Sequence, residues 1–194
     1  MAIFDWVAAF VLFMEMPIPL YWFVIHPQPS IWRQNLRAGY LTGVLVAWGM
    51  GGTLLVLFHG SLFTHEMPSV WSLVLGIALI LFDGFIFARA RKDLGTSRLV
   101  GEAEMQGRVE LERNGIYARI RHPRYAGMIA AVFGACLLVA TPRLWIVFAG
   151  WLALTMLAIQ LEEREMRRRF GAAFEDYCRK VARFLPLRFA RRER

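Results

Sequence analysis

Long apolar stretches, separated by short polar segments, run through most of the chain. Residues 38–58 contain no charged side chain, and residues 70–88 contain only Asp83. Each stretch has about the 20 residues that a helix needs to cross the hydrocarbon of a bilayer. The pattern predicts that these two stretches are the second and third membrane-spanning helices.

A first span is predicted over residues 3–25. Pro17 and Pro19 remove backbone N–H groups from this helix, so we expect a kink and carbonyl groups that need other partners. Glu15 in this span and Asp83 in the third are costly in lipid. Both are candidates for an acceptor pocket, but we favour a structural role, in which one of them pairs with a tyrosine or tryptophan inside the bundle.

The last apolar region lies between Arg124 and Glu162 and contains one charge, Arg143, next to Pro142. We predict two helices there, residues 123–141 and 144–161, joined by a tight turn. Pro123 suits the first turn of a helix, where its missing N–H costs nothing. The fold class predicted is therefore an all-α integral membrane protein with about five transmembrane helices.

Composition and charge support this class and orient it. Hydrophobic residues make up 57% of the 194 positions, which is too many for a soluble domain. With five spans, every one of the 23 Lys and Arg residues except Arg143 falls on one side. Excess basic residues mark the cytoplasmic side, so we expect the amino terminus outside, the tail inside and an inner (plasma) membrane location.

The net charge of +8 is thus a topology signal, and the basic tail favours anionic lipid headgroups over nucleic acid as a partner. The amino terminus has no basic region or small-residue cleavage site, so we expect no removable signal peptide. Cys136 and Cys178 are not expected to form a disulfide. Neither has metal-ligand spacing, and no metal is expected.

Two polar clusters are predicted to lie at the same side of the bilayer. In the first, Arg121, His122, Arg124 and Tyr125 surround Pro123 at a helix start, where free N–H groups and the helix dipole attract carboxylates or phosphates. The alternative is that these arginines only reach lipid headgroups. In the second cluster, residues 162–165, helical i,i+4 pairs account for Glu163 with Arg167 and for Glu165 with Arg169.

Glu162 has no such partner in the sequence and is a candidate ligand for a cation, most naturally an ammonium group. Together the two clusters match the two ends of an amino acid, and S-adenosylmethionine has that shape. The spacing alone does not identify the ligand.

The residues that form these clusters resemble the isoprenylcysteine carboxyl methyltransferase family and its relatives, the membrane phospholipid methyltransferases. The matching pattern extends over residues 109–186. It comprises Gly115-x-Tyr117, Arg121-His122-Pro123-x-Tyr125-x-Gly127, a hairpin of two spans, Glu162-Glu163, Phe170-Gly171, Tyr177 and Leu185-Pro186.

The resemblance implies a cofactor pocket for S-adenosylmethionine, formed by the loop before helix four and the C-terminal segment. It divides the chain into N-terminal transmembrane helices, residues 1–88, and a methyltransferase-like region, residues 89–194. The cofactor-binding residues implied by position are Val109, Glu110, Leu111, Glu112, Tyr117, Arg121, His122, Pro123, Arg124, Tyr125, Glu162 and Glu163. No catalytic residue is assigned.

The acceptor implied is lipophilic, most closely a prenylated cysteine carboxylate, with a phospholipid amine as the alternative. In the eukaryotic isoprenylcysteine enzymes an arginine for the substrate is expected one helical turn before the acidic residue, and that position is Ala158. A further alternative is an NADPH-dependent sterol-type membrane reductase, because those enzymes share the element His122-Pro123-x-Tyr125. A non-catalytic membrane adaptor is the third alternative.

Overall fold

The computed structural model describes residues 3–25, 36–63, 68–95 and 110–185, and the architecture of this part is helical. Helices α1 (Ile3–Glu15) and α2 (Pro17–Ile25) are followed by α3 (Leu36–Leu57), the short α4 (His59–Leu62) and α5 (Val70–Leu94). A 3₁₀ helix, η1 (Gly115–Ala118), precedes α6 (Pro123–Val139), α7 (Pro142–Phe170) and α8 (Ala172–Lys180). An isolated parallel bridge joins Ile120 to Ala182.

Three of the described helical stretches are long and apolar enough to cross a membrane: Ile3–Phe23, Val70–Leu94 and Pro142–Phe170. They match the first, third and fifth predicted spans. The second and fourth correspond to the shorter apolar helices Leu41–Leu57 and Pro123–Val139. The protein is therefore a helical membrane protein, and the count of five spans stays a prediction.

The predicted kink in the first span is present. Helix α1 ends at Glu15 and α2 begins at Pro17, with a turn at Met16 between them. The indole N–H of Trp151 on α7 donates a hydrogen bond to the carbonyl of Met16 at 3.1 Å. A side chain from another helix thus satisfies one of the carbonyls in the kink, as lipid surroundings require.

The predicted tight turn between the last two apolar helices is also confirmed. Helix α6 ends at Val139, and Ala140 adopts a left-handed conformation with φ of 56°. Pro142 then occupies the first turn of α7. Both α5 and α7 continue beyond their predicted ends, to Leu94 and Phe170, and these extensions carry charged residues toward the site.

Helices α5 and α6 pack closely because glycines face each other at their crossing. A Cβ on Gly134 would lie 2.6 Å from the carbonyl oxygen of Gly76, and a Cβ on Gly76 would lie 2.9 Å from that of Gly134. Close backbone approach through small residues is typical of helix pairs in membranes. Helix α1 packs on another part of α6, so α6 is the central helix of the described bundle.

Candidate functional site

The site is organised around the start of α6. His122 precedes the helix, Pro123 occupies its first turn, and His122, Pro123 and Tyr125 are buried. The proline fixes the entry angle of the chain, and the first-turn N–H groups have no partners within the helix. The positive end of the helix dipole is therefore located at the site, as the sequence predicts.

The C-terminal segment binds the residues before α6 through the backbone. The N–H of Arg121 donates to the carbonyl of Ala182 at 2.9 Å, and the N–H of His122 donates to that of Arg183 at 3.1 Å. The Arg121 guanidinium donates to the carbonyls of Cys178 and Val181. The helix start and the tail, about 60 positions apart in sequence, thus form one unit.

Glu163 is the centre of an ion-pair cluster behind this unit, and its side chain is only 1% exposed. One oxygen, Oε1, lies 3.0 Å from Nη2 of Arg121 and 3.1 Å from Nε2 of His122. The other, Oε2, lies 2.7 Å from Nη2 of Arg183 and 3.6 Å from Nη2 of Arg167. Hydrogen bonds from several cationic groups make this carboxylate a structural connector between α7, the tail and His122.

Glu162, the neighbouring carboxylate, has a different environment. Its side chain is 23% exposed, lines the main cavity, and lies 4.0 Å from Nδ1 of His122. The imidazole of His122 therefore lies between the two glutamates. Of the two adjacent acidic residues, Glu162 therefore faces the cavity, and Glu163 stabilises the wall of the cavity.

The 3₁₀ helix η1 is fixed at both ends by distant residues. The carboxylate of Asp93 on α5 accepts a hydrogen bond from the N–H of Ile116 at 2.7 Å. A Cβ on Gly115, whose φ is +57°, would lie 2.2 Å from this carboxylate, so only glycine fits there. The hydroxyl of Tyr177 on α8 donates to the carbonyl of Tyr117 at 2.7 Å. Burial raises the pKa of Tyr177 to about 12, so the hydroxyl remains a donor at neutral pH.

A cavity of about 650 Å³ begins at this polar unit and extends between the helices. We call its two parts the mouth and the inner chamber. The mouth is lined by Glu110, Leu111, Glu112, Tyr117, Arg121, His122, Glu162, Met166, Phe174 and Tyr177. The inner chamber is lined mainly by apolar and aromatic residues: Phe10, Val11, Met14, Ile18, Tyr21, Trp22, Val44, Trp48, Ile80, Gly84, Phe87, Met128 and Ala131.

Three charged side chains line the cavity between the helices. Nη1 of Arg124 lies 2.7 Å from Oδ1 of Asp83, and Nη2 of Arg124 pairs with Oε2 of Glu15. Arg124 is also placed over the ring of Phe87, 5.2 Å from its centre. The partner of Glu15 and Asp83 is thus an arginine, and the expected pairing with tyrosine or tryptophan is wrong.

The inner chamber has exposed residues along the facing edges of α1 and α5. Phe10 and Met14 on α1 and Gly84 and Phe87 on α5 line the chamber and are exposed on the outer surface. A Cβ on Gly84 would meet no atom within 4 Å. Helices α1 and α5 both pack on α6, and both contribute residues to the chamber.

The structure places ten of the twelve sequence-predicted residues around the cavity: Glu110, Leu111, Glu112, Tyr117, Arg121, His122, Pro123, Arg124, Tyr125 and Glu162. Glu163 lies behind the wall, and Val109 is outside the described residues. Sequence reasoning missed Met166 and Phe174 in the mouth, and Trp22 and Trp48 in the chamber. The spacing of Phe174 and Tyr177 in an otherwise polar helix is the signal that would have identified Phe174.

The fold and the site define a helical membrane protein in which a charged mouth leads to an apolar chamber. Residues 71–173, more than half of the chain, match the family model described as phospholipid methyltransferase. The chain belongs to the phospholipid methyltransferase family. This confirms the resemblance to the membrane phospholipid methyltransferases.

One relative shows how far this likeness extends. The chain is 36% identical over 77 residues to methanethiol S-methyltransferase 2 of Bradyrhizobium diazoefficiens. The match covers 40% of this chain and 29% of that protein, so the chain spans less than a third of its length. No solved structure matches the chain significantly.

Proposed function

We propose that the protein transfers the methyl group of S-adenosylmethionine to a lipophilic acceptor. The observation that carries this proposal is the continuous cavity, which joins a charged mouth at the start of α6 to an apolar chamber between the helices. A water-soluble cofactor suits the first part and a membrane-resident acceptor suits the second. Family membership supplies the reaction class.

The mouth fits the amino acid end of the cofactor. The Glu162 carboxylate faces the cavity and suits an ammonium group. The N–H groups in the first turn of α6 suit a carboxylate. The guanidinium of Arg121 is held by Glu163 and by the carbonyls of Cys178 and Val181, so its charge supports the wall of the mouth. The guanidinium of Arg124 is already held by Glu15 and Asp83, so we no longer assign it to the cofactor.

The mouth also fits the adenine end. Leu111, Met166, Phe174 and Tyr177 bring apolar and aromatic surface to one part of the mouth. Such surface binds a flat heteroaromatic ring by burial and stacking. The cluster around Glu163 keeps this surface in place, because Arg121 and Arg183 tie α7 to the tail that follows α8.

The chain's contribution to the reaction is chiefly alignment. When bound, the cofactor supplies a methyl group activated by a sulfonium centre, and displacement at such a carbon proceeds in line. Orientation of two reactants can contribute roughly 7 to 11 kcal/mol, so a catalytic triad is not required. The walls of α1, α5 and α6 hold the acceptor on the inner side of the mouth.

Acceptors fall into several classes, and the sequence-based preference was a prenylated cysteine carboxylate. Ala158, where the resemblance leads one to expect an arginine for that substrate, is buried and does not line the cavity. A phospholipid amine, as the family description suggests, and a thiol, as the name of the relative suggests, are the other classes. The reductase alternative has no support in the family match.

The experiment follows a labelled methyl group. Protein in nanodiscs made from host membrane extract is supplied with S-adenosylmethionine carrying a tritiated methyl group. Label should enter the lipid-extractable fraction. We propose that the acceptor enters from the bilayer between α1 and α5, where Phe10 and Gly84 line the chamber and are exposed. Gly84→Trp should block this entry and reduce incorporation by about tenfold or more. S-adenosylhomocysteine affinity should stay unchanged.

Gly49→Trp is the matched control, because Gly49 is exposed on α3, does not line the cavity, and has no atom within 4 Å of its Cβ position. Its incorporation should equal that of the unmodified protein. Failure of any label to enter the lipid fraction, together with NADPH-dependent reduction of a sterol, would contradict the proposal.

A further inference from the structure

Glu15, Arg124 and Asp83 form a charged cluster that links three helices, α1, α6 and α5, and lines the cavity. Their side chains are only 11%, 19% and 13% exposed. We call these three residues the acidic cluster. It differs from the cluster around Glu163, in which several cations hold one carboxylate that does not line the cavity.

The acidic cluster has two carboxyl groups and one guanidinium. The charges that act most on Glu15 are Arg124 and Asp83, and the charge that acts most on Asp83 is Arg124. With both carboxylates ionised the cluster has a net negative charge. Such an imbalance is costly inside a membrane, and ionisable residues there usually serve a function. Binding of one proton, or a hydrogen bond from one proton donor in the chamber, would offset the excess negative charge of the cluster.

The packing around the cluster is built to accommodate it. A Cβ on Gly127 would lie 2.4 Å from Oδ1 of Asp83, so glycine at this position makes room for the carboxylate. The ring of Phe87 covers the guanidinium of Arg124. Trp22, Trp48 and Tyr21 line the same cavity, so the surroundings are apolar and aromatic. In such surroundings charges act more strongly on each other than they do in water.

We infer that the acidic cluster selects the methyl acceptor, admitting a nucleophile that carries a proton and rejecting a carboxylate. The acceptor class is a lipophilic thiol, amine or alcohol, written R–XH. This inference rests on the proposed function and names the substrate class of the same cavity. A carboxylate would bring a third negative charge beside a single guanidinium, and repulsion in a low-dielectric site disfavours it.

The cluster also receives the proton that the reaction releases. The electron pair on X forms the bond to the methyl carbon, and the bond from that carbon to sulfur breaks, with its electron pair left on sulfur. The X–H proton passes to the carboxylate of Glu15 or Asp83. The sulfonium and one carboxylate thus lose their charges in the same step. The products are R–X–CH₃ and S-adenosylhomocysteine. The proton on the carboxyl group later returns to water.

Three probes of equal chain length test this selection: dodecanethiol, dodecylamine and dodecanoate. Methyl transfer to each is measured with labelled S-adenosylmethionine in nanodiscs. The thiol or the amine should react faster than dodecanoate by about tenfold or more, equivalent to about 1.4 kcal/mol of barrier. In Glu15→Gln and Asp83→Asn this preference should fall toward unity, because each variant removes one negative charge.

The ratio of two rates on one preparation is insensitive to partial loss of fold, so a purely structural cluster predicts lower rates with an unchanged ratio. Asp5→Asn is the matched control, since Asp5 is a buried acid on α1 that does not line the cavity. It should keep the preference of the unmodified protein.

Equal or faster methylation of dodecanoate would overturn the inference and leave the proposed function standing. So would an unchanged ratio in both variants. Binding of S-adenosylhomocysteine without methylation of any probe would also overturn the inference, while the cofactor site would stand. Absence of both binding and methylation would instead reject the proposed function itself.

Discussion

Glu162 and Glu163 are adjacent in sequence, but the geometry of the helix gives one a place in the cavity and the other a structural role. Both lie in the last third of α7, before the basic residues of its last turn, and both read in sequence as members of one acidic pair. The helix turns them by about 100° relative to each other. Glu162 therefore faces the cavity, and Glu163 meets Arg121, Arg183 and His122 in the interior.

Glu162→Gln should weaken S-adenosylhomocysteine binding without unfolding the protein. Loss of a charge-assisted hydrogen bond costs roughly 1.5 to 3 kcal/mol, or about ten- to a hundredfold in affinity. Calorimetry in detergent measures it. Glu165→Gln is the control, because Glu165 pairs with Arg169 on the surface of the same helix. Equal affinities for the two variants would remove Glu162 from the cofactor site.

Glu163→Gln should lower stability, because it leaves buried cationic partners without their counter-charge. Breaking a buried ion pair by removing one partner costs roughly 3 to 5 kcal/mol. The midpoint of thermal unfolding in detergent should fall, and protease should cut the segment around Ala182 faster. An exposed i,i+4 pair contributes only about 0.3 to 0.5 kcal/mol, so Glu165→Gln should change neither. An unchanged midpoint for Glu163→Gln would contradict the structural role.

At the scale of elements, the crossing of α5 and α6 brings together two members of the acidic cluster, Asp83 on α5 and Arg124 on α6. Asp83 lies seven residues after Gly76 on α5, and Gly127 lies seven residues before Gly134 on α6. Seven residues are about two helical turns, so each helix presents both positions on one face. The glycine contacts that bring the helices together therefore also place Asp83 next to Arg124.

Gly134→Ala should disturb this crossing. Its Cβ would lie 2.6 Å from a backbone oxygen of α5, so the helices must separate, and overpacking of this kind costs roughly 1 to 3 kcal/mol. The thermal midpoint in detergent should fall. Gly150→Ala is the control, since a Cβ there meets no atom within 4 Å. A midpoint for Gly134→Ala equal to that of Gly150→Ala would mean that the close crossing is absent.

The helices themselves were predictable because each depends on local signals. Pro123 and Pro142 marked the starts of α6 and α7, and the prolines after Met16 marked the kink. The site was predictable only where neighbouring residues form it, as at the start of α6. The pair between Glu15 and Arg124 joins residues 109 positions apart, and no local pattern specifies such a contact. The resemblance therefore assigned Arg124 to the cofactor by position, without its contact with Glu15.

At the scale of the whole molecule, the distribution of basic residues and the position of the cavity mouth predict the same orientation of the protein in the membrane. The mouth lies among basic residues, whereas Arg143 lies at the other ends of the helices, where its guanidinium contacts the carbonyl of Ser61 after α3. From the positive-inside rule we expect the mouth to face the cytoplasm, the side from which the proposed cofactor would bind. In this orientation, the proposed acceptor would enter from the bilayer between α1 and α5.

Reporter fusions test this orientation. A reporter placed after Arg194 should be cytoplasmic, and one inserted within residues 60–69 should be outside, because three predicted spans, the third to the fifth, lie between that loop and the tail. Reports from the same side would contradict the five-span topology. The result does not depend on the identity of the acceptor.

The central claim is that the mouth binds S-adenosylmethionine, and calorimetric titration of the purified protein tests it most directly. The account predicts saturable binding of S-adenosylhomocysteine and no binding of NADPH under the same conditions. Binding of NADPH without S-adenosylhomocysteine would favour the reductase alternative, and binding of neither would favour an adaptor. Either result would contradict the account.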